Sequence, residues 1–291
     1  MDQQTEIQKD SLFIRVPDGL HLHVEVYGKD RGKPPVVCLP GLTRNGRDFA
    51  ELATILASAP HDHRVITITS RGRGLSDRDP SPERYTIPVE AADVISVLDQ
   101  LGIDRAHFIG TSRGGLILHM LAFTHLERMA SVILNDIGPV LELNGLRQIQ
   151  TYLGSRSSPA DFEEAAHLLA KTHGSEFPAL TEQDWQTMAK AIFREQDGKL
   201  LADYDPAIGE QFRSLDLSSP LPDLWAGFEQ LATVPVMTIR GEHSRLLSEA
   251  TLEEMAKRHP KFDAVIASGQ GHAPLLHLDR LDQAIAAFLR R

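Results

Sequence analysis

The sequence predicts an α/β fold built on a mostly parallel sheet flanked by helices, and three observations carry that prediction. Residues 35–39 (Pro-Val-Val-Cys-Leu) and 65–68 (Val-Ile-Thr-Ile) form near-continuous apolar runs. Such runs mark strands covered on both faces, the habit of a parallel sheet packed between helices. Stretches of helical spacing alternate with them: residues 49–57, then 87–101, where Ala91, Val94, Ile95 and Leu98 fall at i, i+3, i+4 and i+7. Finally, the apolar run 106–109 passes through Gly110-Thr111-Ser112-Arg113-Gly114 into residues 115–120, the start of a buried helix, so a tight turn joins a strand directly to a helix.

The elements follow in order. Residues 11–16 form a first strand, Pro17-Asp18-Gly19 turns the chain, and residues 20–27 alternate at period two as a second. The strand at 35–39, the helix at 49–57, the strand at 65–68 and the helix at 87–101 come next. The strand at 106–109, its following helix and a strand at 130–136 complete the first part. The alternation breaks at Ile137-Gly138-Pro139, and from there to about Thr233 the patterns are helical with no convincing strand. Strands return at 234–240 and 262–266, and residues 281–289 supply a closing helix. The expected organisation is a core made of residues 1–138 and 234–291, interrupted by a helical insertion at 139–233. A connection of that length inside a compact domain points to a functional role.

Bulk properties narrow the function classes. With 291 residues, 42% hydrophobic and 24% charged, the chain can bury a large core as one domain with an insertion. A net charge of -10 disfavours nucleic acid or an anionic membrane as the main partner. Cys38 is the only cysteine, so no internal disulfide can form, and its apolar surroundings suit a buried, inert thiol. The N-terminus, Met1-Asp2-Gln3-Gln4-Thr5-Glu6, is polar and lacks a signal-peptide apolar segment. No apolar stretch approaches the ~20 residues needed to span a bilayer. The expectation is a cytoplasmic enzyme; nothing in the sequence sets an oligomeric state.

The chemistry centres on Ser112. G-x-S-x-G between strand and helix is a turn tight enough to lift the serine hydroxyl above the sheet edge. A Cβ at Gly110 or Gly114 would collide where the chain reverses. The same turn aims the Arg113 amide at the space where an oxyanion would form. A serine needs a base, because its hydroxyl is barely ionised at neutral pH. His272, in Ser268-Gly269-Gln270-Gly271-His272-Ala273-Pro274, lies just past the last strand and is the candidate. His21 and His23 share a strand face, but no third metal ligand accompanies them.

With these motifs the chain resembles the α/β-hydrolase-fold serine hydrolases over nearly its whole length. Pro40-Gly41-Leu42-Thr43-Arg44-Asn45 is similar to the family's oxyanion loop, with Pro40 where histidine is common. The resemblance makes the Leu42 amide the second oxyanion donor beside that of Arg113. Ser70-Arg71-Gly72-Arg73-Gly74-Leu75-Ser76 resembles the family's R-G-x-G-x-S turn. It further implies an eight-stranded sheet, with the insertion after the sixth strand forming a helical cap over the active site. No cofactor and no metal are expected, and the partner is a small-molecule ester or related acyl substrate.

The acid is where this sequence departs from the family pattern. An aspartate is usual in the loop after the next-to-last strand, and here Arg240-Gly241-Glu242-His243-Ser244-Arg245-Leu246-Leu247-Ser248 places Arg245 at that position. A cation there would repel a protonated His272. Three readings follow: Asp136, at the end of the sixth strand, supplies the carboxylate; Glu242 reaches the histidine; or the pair works without an acid. Asp136 is favoured. Its alternative roles are to cap the Ile137-Gly138-Pro139 turn or to pair with Arg245. Arg113 and Arg245 are the candidate substrate-binding side chains. Ester hydrolysis through Ser112 is the expected activity, with lactone, amide or C–C hydrolysis as variants of the same parts. A serine in the elbow disfavours dehalogenase and epoxide hydrolase chemistry, which use a carboxylate nucleophile. A catalytically impaired ligand-binding homologue is the rival reading, motivated by Arg245.

Overall fold

The computed structural model describes residues 7–153, 158–219 and 221–291; the polar residues 1–6, read above for the lack of a signal segment, lie outside them. The strands, in chain order, are β1 (Lys9–Arg15), β2 (His21–Tyr27), β3 (Val36–Leu39), β4 (Val65–Ile68), β5 (Ala106–Thr111), β6 (Met129–Asn135), β7 (Phe193–Gln196), β8 (Lys199–Ala202), β9 (Val236–Gly241) and β10 (Phe262–Ala267). Eight of them make one sheet in the order β1-β2-β4-β3-β5-β6-β9-β10. The pairings β1–β2 and β2–β4 are antiparallel, and every pairing from β4 across to β10 is parallel.

The helices are α1 (Ala50–Ala57), α2 (Ile87–Gln100), α3 (Arg113–Thr124), α4 (Leu143–Leu153), α5 (Phe162–His173), α6 (Glu182–Ile192), α7 (Pro206–Arg213), α8 (Trp225–Gln230), α9 (Glu249–Arg258) and α10 (Leu281–Phe288). Alternate strand residues serve opposite faces. Val37, Phe108, Val132 and Val236 pack with Val94 and Leu98 of α2 and Ile117 and Leu121 of α3. On the other face Val36, Cys38, Ile109, Ile133 and Ile239 pack with Leu52 and Leu56 of α1 and Ile285 of α10. The continuous apolar runs are therefore the two-sided strands that the sequence indicated. Cys38 is buried, and desolvation pushes its thiol pKa up.

Although β2 alternates polar and apolar residues, all of it except His21 is buried. Its polar residues are covered because they are paired. Glu25 accepts from the Tyr27 hydroxyl at 2.8 Å and from Lys9 Nζ at 2.8 Å, and His23 Nε2 meets Ser11 Oγ at 2.8 Å.

The insertion has a small core of its own, with Ala165, Phe177, Trp185, Ala189 and Phe193 at its centre. Contrary to the expectation from sequence, it is not wholly helical: β7 and β8 form an antiparallel hairpin. The signal was Asp197-Gly198, whose φ values of 52° and 70° suit the two-residue turn of a hairpin. The period-two pattern around it is weak because only Phe193 and Leu200 face inward. Polar anchors tie this segment to the core. Asn45 Nδ2 donates to the Ala191 carbonyl at 3.0 Å, Arg47 Nη2 reaches Asp203 Oδ2 at 2.8 Å, and the Tyr85 hydroxyl donates to Asp205 Oδ2 at 2.7 Å. No helix among the described residues is long and apolar enough to cross a membrane.

The close approach of β5, α3 and β3 makes a concrete prediction. A Cβ on Gly114 would overlap the carbonyl oxygen of Leu39, which is backbone and cannot swing aside. Gly114→Ala is expected to lower stability by about 2 kcal/mol or more, measured as a reduced urea midpoint with an unchanged slope.

Candidate active site

The sheet register assembles the site at the carboxyl ends of β5, β6 and β9. Thr111 pairs with Asn135, and Asn135 with Ile239. Ser112, one residue past β5, adopts φ 51° and ψ −113°, a conformation that L-residues avoid and that a tight turn must impose. Its amide donates to the Asn135 carbonyl at 3.1 Å, and its carbonyl accepts from the amides of Gly115 and Leu116 at the start of α3. A Cβ at Gly110 would lie 2.7 Å from the Gly114 carbonyl carbon, so the two glycines are the steric condition for this turn.

Asp136, one residue past β6, also has a positive φ, 54°, which aspartate tolerates better than most residues. Its side chain is fully buried. Oδ1 accepts from the Gly241 amide at 2.8 Å, and Oδ2 accepts from the Ser244 hydroxyl at 2.6 Å. Oδ2 also lies 2.8 Å from His272 Nδ1, while His272 Nε2 lies 3.0 Å from Ser112 Oγ. A carboxylate only accepts, so Nδ1 carries the imidazole proton and Nε2 turns its lone pair toward the serine. Asn135 steadies the arrangement, with Nδ2 donating to Thr111 Oγ1 and to the Pro274 carbonyl, both at 3.0 Å. The elbow and the histidine loop thus share one amide.

The other candidates sit elsewhere. Glu242 accepts from the Gly269 amide at 2.7 Å, at an exposed position. Arg245 is 63% exposed, and its Nε lies 3.7 Å from Glu176 Oε1 in the insertion, so it pairs neither with Asp136 nor with His272. The residue before it, Ser244, is the one that faces Asp136. Arg113 was expected to offer its guanidinium to a substrate; instead the side chain turns back to Glu90, with Nε–Oε2 at 2.8 Å and Nη2–Oε1 at 2.9 Å. Glu90 is buried and ionic, so it captures the cation more strongly than the cavity could. What Arg113 keeps free is its backbone amide. Among the described residues neither that amide nor the Leu42 amide donates to a protein acceptor.

Above Ser112 and His272 is a cavity of about 340 Å³. Its wall is mainly apolar: Leu116, Ile137 and Leu246 come from the core, and Leu146, Ile149 and Phe177 from the insertion. Tyr152 and His173 add a polar edge, their rings meeting edge to face with centroids 5.3 Å apart, and burial lowers the proton affinity of His173. In the charged part of the wall, Arg44 Nε and Nη2 both bond the Asp48 carboxylate.

A family model for the alpha/beta hydrolase fold matches residues 34–277. The chain belongs to that family. It is similar to an α/β hydrolase from Novosphingobium aromaticivorans, with 38% identity, a TM-score of 0.89 and 98% of each chain covered. It is also similar to the 3-hydroxybutyrate-oligomer hydrolase of Cupriavidus necator, with 32% identity over 266 residues and 89% of each chain covered. The esterase YbfF of Escherichia coli is 25% identical, over 93% of this chain and 98% of its own.

Within this hydrolase, three residues that the sequence reading passed over hold the constellation in place: Ser244, Asn135 and Glu90. Only Glu90 left a signal, as an acid on the apolar stripe of α2 between Ile87 and Val94. The geometry predicts a proton resonance far downfield from the His272 Nδ1–H bond to Asp136. It should vanish in Asp136→Asn and His272→Gln and persist in Glu242→Gln and Arg245→Ala, as read by one-dimensional proton NMR.

Proposed function

We propose that this hydrolase cleaves a small carboxylic ester through an acyl-enzyme on Ser112. The observation that carries the reading is the continuous hydrogen-bonded chain from Ser112 Oγ through both His272 nitrogens to Asp136, opening into an apolar cavity. In the first step Ser112 Oγ attacks the ester carbonyl carbon while His272 Nε2 takes its proton. Asp136 keeps the imidazole in the productive tautomer and stabilises the imidazolium that forms. The carbonyl oxygen becomes an oxyanion, met by the free amides of Leu42 and Arg113. Collapse expels the alcohol, which receives the proton from His272. Water then repeats the sequence on the acyl-serine, releasing the acid and restoring the serine. The small apolar cavity suits a short acyl or alcohol part, and the similarity to a 3-hydroxybutyrate-oligomer hydrolase and to an esterase supports ester cleavage. Because Arg245 stands outside the constellation, the reading of an impaired binding protein loses the feature that motivated it.

Two measurements test this. A fluorophosphonate should add once to the wild-type chain by intact mass and not at all to Ser112→Ala. With 4-nitrophenyl butyrate, Asp136→Asn should lower kcat by roughly 10⁴-fold, about 5 kcal/mol of barrier, while Glu242→Gln and Arg245→Ala stay within about threefold. Turnover of vinylogous diketones with none of esters would replace ester by C–C hydrolysis.

A further inference from the structure

The proposed oxyanion donors come from two separate loops, and the hydrogen bonds trace a path between them. Arg113 begins α3, and its guanidinium bonds both oxygens of Glu90 on α2. Glu90 Oε1 also accepts from Arg73 Nη1 at 2.8 Å. Arg73 in turn donates Nε to the Leu42 carbonyl at 2.8 Å and Nη1 to the Arg71 carbonyl at 2.6 Å. One carboxylate therefore joins the residue that presents the Arg113 amide to the loop that presents the Leu42 amide.

Each link is protected from water. Glu90 and Arg73 are both 1% exposed, and the Arg113 side chain 16%. Burial by itself would raise the Glu90 pKa, but Arg73 and Arg113 outweigh it and hold the carboxyl below its ordinary value, so the clamp is ionic at neutral pH. The cluster holds two guanidiniums against one carboxylate, and Arg73 Nη2 has no acceptor among the described residues.

We propose that Glu90 is a positioning residue that sets the spacing of the two oxyanion donors, acting through Arg73 on Leu42 and directly on Arg113. The proposal rests on the reading of Ser112 as an acylated nucleophile. It gives the Arg73 of the R-G-x-G-x-S turn a defined task as a strut between the oxyanion loop and the helix beneath the elbow. A loosened clamp leaves substrate binding in the apolar cavity intact and weakens contact with the tetrahedral oxyanion. Displacement of such donors by about 1 Å can cost on the order of 10²-fold in rate.

The experiment compares wild type, Glu90→Gln, Arg73→Lys and the double variant Glu90→Gln/Arg113→Met. Glu90→Gln leaves two buried guanidiniums facing a neutral amide and can fail to fold; the double variant removes that excess charge. Each is measured for melting temperature, for kcat and KM with 4-nitrophenyl butyrate, and for inhibition by a trifluoromethyl ketone that forms a tetrahedral adduct. The expected result is that the double variant melts near wild type yet retains a 10- to 100-fold loss in kcat, with KM within about threefold. The ketone should weaken by the same factor as kcat/KM, and Arg73→Lys should show the same split. Recovery of kcat together with the melting temperature would mean that Glu90 only balances charge, and would overturn the proposal. A loss carried by KM would overturn it as well. If the fluorophosphonate fails to label wild-type Ser112, the nucleophile reading falls and this inference falls with it; labelling with an unsplit kinetic defect removes this inference alone.

Discussion

Ser112 can stand above the sheet only because β5 reverses into α3 within a single residue, and that reversal is a contact between backbones. Gly110 and Gly114 lie so close to one another and to Leu39 that no side chain fits between them. From this one constraint the rest of the site takes its coordinates. The elbow fixes the start of α3, and with it the Arg113 amide. Parallel register then sets Asp136 beside the end of β9 and brings the loop carrying His272 over the serine. The geometry is a property of neighbouring strand ends, which is why residues 160 apart in sequence meet at 3.0 Å.

Around that turn the core carries an unusual amount of buried charge. Arg71 is held by Asp93, Asp79 and Asp18, and Arg73 and Arg113 share Glu90. Breaking one partner of such a pair costs about 3–5 kcal/mol, whereas replacing the whole set by apolar residues is often neutral. Stability alone is therefore a poor reason for the cluster. The Arg73–Glu90–Arg113 part lies between the Leu42 loop and the elbow, which fits the positioning role proposed above, since ionic hydrogen bonds hold direction in a way that packed methyl groups do not.

The insertion shows where reading by pattern stops. Its helices are amphipathic, and one face of each had to be buried, but the same apolar residues suit a core or a cavity wall equally well. Leu146 packs in the main core and also lines the cavity, and Phe177 belongs both to the insertion's own core and to that wall. The β7–β8 hairpin escaped notice because four-residue strands with one inward side chain each give almost no periodicity.

The elements that depend on local chemistry are legible in the chain itself. The two-sided strands follow from near-continuous apolar runs, the elbow from its glycines, and the roles open to Ser112 and His272 from their placement at strand ends. Which carboxylate meets His272 is visible only in three dimensions: Asp136 Oδ2 does, while Glu242 accepts from the Gly269 amide instead. That choice rests on which carboxylate a positive φ and the β6–β9 register bring to 2.8 Å from Nδ1, and neither quantity is encoded in local composition. Tertiary structure also decided the fate of the two arginines. Arg113 was drawn inward by a carboxylate 23 residues away in sequence, and Arg245 was turned outward while its neighbour Ser244 took the inward position. Long-range pairing of charges follows from distances in space, and those exist only once the chain has folded.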